Sequence, residues 1–106
     1  MRRYAYPRGA LSPVEAAILT ELLVEPTHTL QLRHALRRHM PRAPAHQTLY
    51  VLMQRLRDAG YVRTAYSPPG QPREHTVTVR GRRALASTMA FWIALRASLV
   101  YPRTAP

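Results

Sequence analysis

The chain has 106 residues, of which 46% are hydrophobic, and this length and composition predict one small folded domain with a modest core. All 16 basic residues are arginines, lysine is absent and only 5 residues are acidic, so the net charge is +11. A GC-rich coding sequence would explain the missing lysines but not the shortage of acids. The charge therefore favours a polyanionic partner, and the planar donor fork of arginine suits phosphates and guanine edges.

Several classes of protein are excluded or disfavoured by the same composition. The absence of cysteine excludes disulfides and thiolate zinc sites. No uninterrupted apolar run approaches the ~20 residues of a membrane span, and residues 1–9 lack the apolar centre of a signal peptide, so we expect a soluble, cytoplasmic protein. The five histidines have no i, i+4 pair and no acidic neighbours that would complete a metal shell. We therefore expect no enzyme, metal or cofactor.

The N-terminal part predicts a basic arm followed by two helices. Residues 1–10 form the arm, which carries Arg2 and Arg3. Ser12 and Glu15 then fit a capping box that opens an amphipathic helix ended by Pro26, and the helix's glutamates lie mostly off its apolar stripe. A second helix is expected from a cap at Thr27 or Thr29 through about residue 39, with several arginines on its outer side.

A third helix is predicted from about residue 45 to residue 59, after a connector with two prolines. Gly60 suits a left-handed helix end, and leucines and a methionine at helical spacing form the buried stripe. Residues 61–66 and 75–78 are rich in aromatic and β-branched side chains and predict two strands around a proline- and glycine-rich turn. Thr78 caps a last helix, over about residues 79–100, whose apolar seam is longer than a small core requires.

Three helices followed by a hairpin predict a mainly α winged helix-turn-helix fold: a three-helix core, a two-stranded wing and a long C-terminal helix. The third helix would enter a major groove and the wing would reach the adjacent backbone or minor groove. Gln47 could pair with adenine. For Tyr50 a contact with a phosphate is favoured, and the alternative is a partly buried ring between the helix and the wing. The residues expected to contact DNA are His46, Gln47, Thr48, Tyr50, Gln54, Arg55, Arg63, Arg73, Arg2 and Arg3.

Two segments carry a family resemblance that covers about residues 11–100. Residues 48–62, TLYVLMQRLRDAGYV, and residues 78–85, TVRGRRAL, resemble two motifs of PadR-type transcriptional regulators. His75 departs from the pattern, because the family usually has a tyrosine ahead of the second wing strand. The start of the second helix departs as well, since a glycine-tyrosine pair is usual there.

The resemblance implies a homodimeric transcriptional repressor that binds double-stranded DNA. It points to the short subgroup of the family, which has one C-terminal dimerisation helix. The expected organisation is then an arm at 1–10, a DNA-binding domain at 11–78, a dimerisation helix at 79–101 and a tail at 102–106. The resemblance also implies release by a small aromatic effector, for which Trp92 could provide a stacking surface; simple packing of Trp92 in the dimer is the favoured interpretation. The expected dimer interface comprises Leu85, Met89, Trp92, Ile93, Arg96, Leu99 and Val100.

Two other binding functions compete with the regulator. An architectural or phage-type accessory protein that bends DNA would also suit the extreme charge and the basic arm. An RNA-binding protein would suit the charge, but the sequence lacks an aromatic strand platform or another known RNA module.

Overall fold

A computed structural model describes residues 10–65, 68–70 and 73–100 of the chain. The elements follow in the order α1 (Pro13–Val24), α2 (Thr29–Leu36), α3 (His46–Asp58), β1 (Val62–Thr64), β2 (His75–Val77) and α4 (Val79–Val100). The mainly α winged-helix architecture predicted from the sequence is confirmed. The arm with Arg2 and Arg3, the tip at residues 66, 67, 71 and 72, and the tail at 101–106 lie outside the described residues.

The three N-terminal helices enclose one core, which α4 and the wing complete. Leu19, Leu32, Leu49 and Met53 are buried in this core and come from α1, α2 and α3. Helix α1 contacts α2, α4 and β2, while α3 packs on α2 and β1. The buried stripe of α3 therefore fixes the helix from behind and leaves its polar side outward.

The first helix begins as the sequence predicts. The Ser12 hydroxyl accepts a hydrogen bond from the Glu15 amide, and the Glu15 carboxylate accepts one from the Ser12 amide, which completes the capping box. One prediction for α1 is wrong: Glu21 does not lie off the apolar stripe but is only 7% exposed. Its carboxylate lies 3.3 Å from Nε2 of His39 and 3.6 Å from Nη1 of Arg38, and these partners compensate its burial.

The second helix is shorter than predicted and has a different cap. Its N-cap is His28, whose Nδ1 accepts from the Gln31 amide at 3.5 Å, rather than Thr27 or Thr29. The helix ends at Leu36, and residues 37–39 continue as a turn. The Arg33 side chain, expected on an outer basic face, is half-buried and donates to the Pro44 carbonyl at 2.9 Å. This bond attaches the connector to α2 and so helps to set where α3 begins.

The wing consists of two short antiparallel strands joined to the helical core. Val62 pairs with Val77, Arg63 with Thr76 and Thr64 with His75. The His75 amide also donates to the Thr27 carbonyl at 2.8 Å, so the chain entering α2 extends the hairpin by one bridge. The wing is thereby anchored to the α2 start as well as to α3.

The start of α4 is held against the wing by the predicted Thr78 cap. The Thr78 hydroxyl accepts from the Gly81 amide at 3.0 Å and donates to the Gly60 carbonyl at 2.6 Å. Gly81 is buried, and a Cβ built there would overlap the Tyr61 carbonyl oxygen and lie 2.8 Å from Cγ1 of Val77. A glycine is therefore required where α4 crosses the hairpin.

Helix α4 extends beyond the core. Leu85, which the sequence assigns to the dimer interface, is 8% exposed and belongs to the core of its own chain. Thr88 is fully buried, and its hydroxyl accepts from the Leu11 amide at 3.0 Å and donates to the Ala84 carbonyl at 2.8 Å. After Thr88 the apolar side chains emerge, with Ile93 at 65% and Leu99 at 74% exposure.

In the described part of the chain, α4 is a helix long and apolar enough by length and composition to cross a membrane. Arginines divide its apolar residues into shorter runs, although the helix itself is continuous from Val79 to Val100. Its first turns are packed on the winged-helix core, so about residues 89–100 project from it. At 1.5 Å per residue this part spans ~18 Å, less than the ~30 Å of a bilayer core.

Candidate nucleic-acid interface

The outward side of α3 carries six of the residues that the sequence singles out. His46 and Gln47 occupy the first turn of the helix, as predicted, and Tyr50 and Gln54 continue from Gln47 at one-turn spacing. All six side chains are exposed: His46, Gln47, Thr48, Tyr50, Gln54 and Arg55. With 60% of its surface accessible, Tyr50 is not the partly buried ring that the alternative interpretation describes.

The wing brings two further predicted residues to the structure's surface. Arg63 is exposed on β1, and Arg73 is exposed just before β2. Arg73 shares a cleft with His46 and Tyr50, whereas Arg63 does not line that cleft. The structure thus groups His46, Tyr50 and Arg73 and leaves Arg63 apart on the strand.

The cleft lies between the α2 start, α3 and the wing, and its volume is about 390 Å³. Hereafter it is called the wing cleft. Arginine and histidine side chains predominate in its lining, joined by the Tyr50 ring and by the apolar side chains of Leu30 and Met53. Its basic residues are His28, His46, Arg57, Arg73 and His75. None of the described residues that line it is acidic, so an anion entering it meets no carboxylate from this part of the chain.

A smaller cleft of about 230 Å³ continues along the same boundary. It is lined by Gln54, Thr64 and Ala65 together with Tyr50, Arg57 and Arg73 of the wing cleft. The two clefts therefore form one continuous groove between α3 and the wing, and Arg57 and Arg73 line both parts of it.

A chain of polar contacts connects α3 to the wing beneath this groove. Arg57 donates to Oε1 of Gln54 at 2.6 Å and to Oγ1 of Thr64 at 3.2 Å. Oγ1 of Thr64 lies 2.9 Å from Nδ1 of His75, and Nε2 of His75 lies 2.9 Å from Oγ1 of Thr29. The network therefore runs from α3 through both strands to α2 and fixes the orientation of the wing.

The imidazole of His75 is the buried centre of that network, with 3% exposure. Its pKa is lowered to about 4, first by burial and then by the positive charges of Arg57, His28 and Arg73, in that order. Both ring nitrogens of His75 are hydrogen-bonded when the Thr64 hydroxyl donates to Nδ1 and the Nε2–H group donates to the Thr29 hydroxyl. The structure therefore favours a neutral ring held between two hydroxyls.

Sequence reasoning missed part of this site. The residues expected to contact DNA did not include Arg57, and His75 was considered only as a departure from a family pattern and as one of five histidines without metal-ligand spacing. The alternation of β2 was a usable signal, since His75 and Val77 share the inward face while Thr76 lies between them. The contacts of His75 with Thr29 and Thr64 depend on tertiary structure and had no sequence signal.

Gln54 also differs from what the sequence suggests. Its amide nitrogen donates to the Asp58 carboxylate at 3.0 Å, while its amide oxygen accepts from Arg57. Both ends of the amide are engaged within the chain. Among the glutamines of α3, Gln47 is therefore the stronger candidate for a base contact.

The described residues contain no group of three or more histidines, cysteines or acids that could hold a metal ion. The geometry instead defines a basic and polar surface on a helix beside a wing. This arrangement is characteristic of winged helix-turn-helix proteins.

Comparison of the fold with solved structures gives the more specific assignment. A PadR family transcription regulator from Clostridium difficile R20291 is similar with a TM-score of 0.73 and 13% identity, over 83% of this chain and 95% of that chain. A PadR-like transcription factor from Bacteroides fragilis gives 0.70 and 24% identity, over 85% and 89%. A transcriptional regulator from Clostridium thermocellum gives 0.71 and 16% identity, over 89% and 100%.

The chain therefore has a PadR-like winged-helix fold, with the long C-terminal helix included in the similarity. These neighbours are regulators of transcription rather than enzymes. Neither the comparison with known protein families nor that with curated proteins gives a match to the sequence.

Proposed function

We propose that this chain is a sequence-specific, double-stranded DNA-binding regulator of transcription that acts as a homodimeric repressor. The observation that carries the proposal is the exposed polar and basic side of α3, which adjoins the arginine-bordered groove of the wing. The similarity of the fold to PadR-type regulators supports the same function.

The two parts of this surface would have different tasks. Gln47 and His46, in the first turn of α3, would contact base edges in the major groove, and Tyr50 would contact the backbone or a base one turn later. Arg55, Arg63 and Arg73 would bind phosphates, which position the protein without reading sequence. Arg2 and Arg3 would add contacts from the arm.

The exposed apolar side of α4 supports the homodimer. Met89, Trp92, Ile93, Leu99 and Val100 are between 38% and 74% exposed and recur at helical spacing, with Arg96 between them. Two copies of this helix would bury these side chains against each other and place two α3 helices on one operator. Leu85 would take no part, because it is used within the chain.

Trp92 is the residue through which a small aromatic effector would act in this proposal. Its ring meets Phe91 edge-on with centroids 6.0 Å apart, and 38% of the residue is accessible in the single chain. Packing between the two α4 helices remains the favoured role. Because the chain has a single tryptophan, fluorescence titration with phenolic compounds would report stacking on Trp92 without a signal from another tryptophan.

Selection of bound sites from random duplexes, followed by footprinting, tests the proposal. A short palindrome with half-sites about one helical turn apart is the expected result. Binding should weaken steeply with salt, since each neutralised phosphate adds about −0.9 to the slope of log K against log salt concentration. Broad coverage without sequence preference would instead support an architectural protein, and preferential competition by tRNA would support RNA binding.

A further inference from the structure

The wing cleft has features that the positioning of DNA alone does not require. It is a concave site between three elements, and its volume of about 390 Å³ falls within the range of ~300–1,000 Å³ typical of ligand sites. Two arginines from separate parts of the fold, Arg57 of α3 and Arg73 of the wing, line it together. Its described lining residues include no acid, although Asp58 and Glu74 are next to lining residues in the sequence.

We infer that the wing cleft is an anion site that holds a phosphate group between Arg57 and Arg73. The phosphate has two sources: the DNA backbone, or a small phosphorylated molecule that competes with DNA. The first source deepens the proposed function and rests on it, whereas the second does not.

Arg57 is already positioned for this role. Its contacts to Gln54 and Thr64 use two of the five N–H donors of the guanidinium. The remaining donors can bind an anion while those contacts keep the group from moving. A site whose arginine is held in advance loses less conformational entropy on binding than one with a mobile side chain.

The surroundings of His75 are consistent with a positive potential in the cleft. The ring lies at the base of the cleft, and the charges of Arg57, His28 and Arg73 act together with burial to hold its pKa at about 4. Among the described residues, the charged groups that act on it are all cationic: His28 before α2, Arg57 on α3 and Arg73 on the wing. A phosphate bound beside these groups would offset their charge and raise the pKa of His75.

The expected rise in the pKa of His75 provides a measurement of phosphate binding in the cleft. The His75 ring would be titrated by NMR in the full chain, in inorganic phosphate and in chloride at equal ionic strength. Phosphate is expected to raise the pKa of His75 above about 4, and chloride is not. Arg73→Ala should weaken phosphate binding by about tenfold or more and remove the phosphate-dependent rise, because one charge-assisted contact is lost. Arg83→Ala, which removes the same charge from an exposed position on α4 outside the cleft, should leave the rise intact.

A second series with a saturating DNA duplex distinguishes the two sources. If bound duplex raises the pKa of His75 and phosphate then adds nothing, a backbone phosphate occupies the cleft. If duplex binds without this effect while inorganic phosphate has it, the occupant is a small phosphorylated molecule. If phosphate acts but no duplex binds, the anion site stands and the proposed function fails. If neither phosphate nor bound duplex changes the pKa, or if Arg83→Ala abolishes the rise as Arg73→Ala does, the inference is overturned.

Discussion

Thr64 and His75 face each other across the two strands of the wing, and Oγ1 of Thr64 lies 2.9 Å from Nδ1 of His75. Because Arg57 donates to the same hydroxyl, Thr64 couples a permanent charge on α3 to a titratable ring in the wing. Protonation of the ring would place a donor on Nδ1 and reverse this hydrogen bond, so that the Thr64 hydroxyl would accept from both Arg57 and His75 and its own proton would need another acceptor. With a neutral His75, the Thr64 hydroxyl donates to Nδ1 while it accepts from Arg57.

The first prediction follows from this pairing and concerns stability at acid pH. The pKa of His75 is about 4 in the folded chain and 6.5 as the reference for the unfolded chain. Between these values the unfolded chain binds a proton that the folded chain does not, so stability falls as the pH falls. The contribution of His75 to the free energy of unfolding is complete above about pH 6.5 and is lost as the pH falls from there through about 4. It amounts to at most about 3 kcal/mol.

Urea unfolding at several pH values would measure this contribution. Carboxylates titrate in the same range, so His75→Gln serves as the comparison: the difference between the two stability curves isolates the histidine. We expect the free-energy difference to shrink as the pH falls from 6.5 to 4. Parallel curves for the two proteins would show that His75 does not carry the effect.

The second prediction concerns the contact between α4 and the hairpin. Gly81→Ala should destabilise the chain by about 1–3 kcal/mol, because the new Cβ would overlap the Tyr61 carbonyl oxygen and crowd Val77. The backbone of the hairpin cannot move aside as a flexible side chain could. Ser87→Ala, at an exposed position of the same helix, is the control and should change stability by less than ~0.5 kcal/mol.

These examples also show how far the sequence predicts the structure. The Thr78 cap follows from local rules of helix starts, and the buried stripe of α3 follows from helical periodicity. The requirement for glycine at position 81 comes instead from the crossing of α4 and the hairpin. The buried Glu21 and the clamped His75 do not, since each depends on partners from other elements that no local pattern specifies. The outward face of α3 was therefore predictable, whereas the wing cleft was not.

The third prediction separates the two glutamines of α3. Gln47→Ala should cost ~1–3 kcal/mol at one base pair of the selected operator and leave non-specific binding unchanged, because its exposed amide would read a base edge. Gln54→Ala should leave base preference unchanged, because its amide is bound to Arg57 and Asp58.

Binding of each variant to the full set of single-base operator variants would test this. Equal weakening on every sequence by Gln47→Ala would contradict a base-reading role. A new base preference in Gln54→Ala would show that its intramolecular contacts break on DNA.

The fourth prediction concerns the exposed seam of α4. Ile93→Glu should weaken dimerisation by about 100-fold or more, because two-fold symmetry places the change twice in the interface and each isoleucine would contribute ~1.5–3 kcal/mol when buried. The fold of the single chain should persist, since Ile93 is 65% exposed within it. Ala94→Glu is the matched control: it makes the same change in net charge on an exposed position away from the seam.

Light scattering across a concentration series would give the dimer dissociation constant of each protein, and circular dichroism would confirm that each remains folded. Because half-site binding loses the second α3 helix, Ile93→Glu should also bind a full palindrome no better than a single half-site. If Ala94→Glu disrupts the dimer while Ile93→Glu does not, the interface lies on the other side of α4. A dimer unaffected by either variant would place the interface elsewhere, leaving the exposed apolar seam of α4 without the role assigned to it.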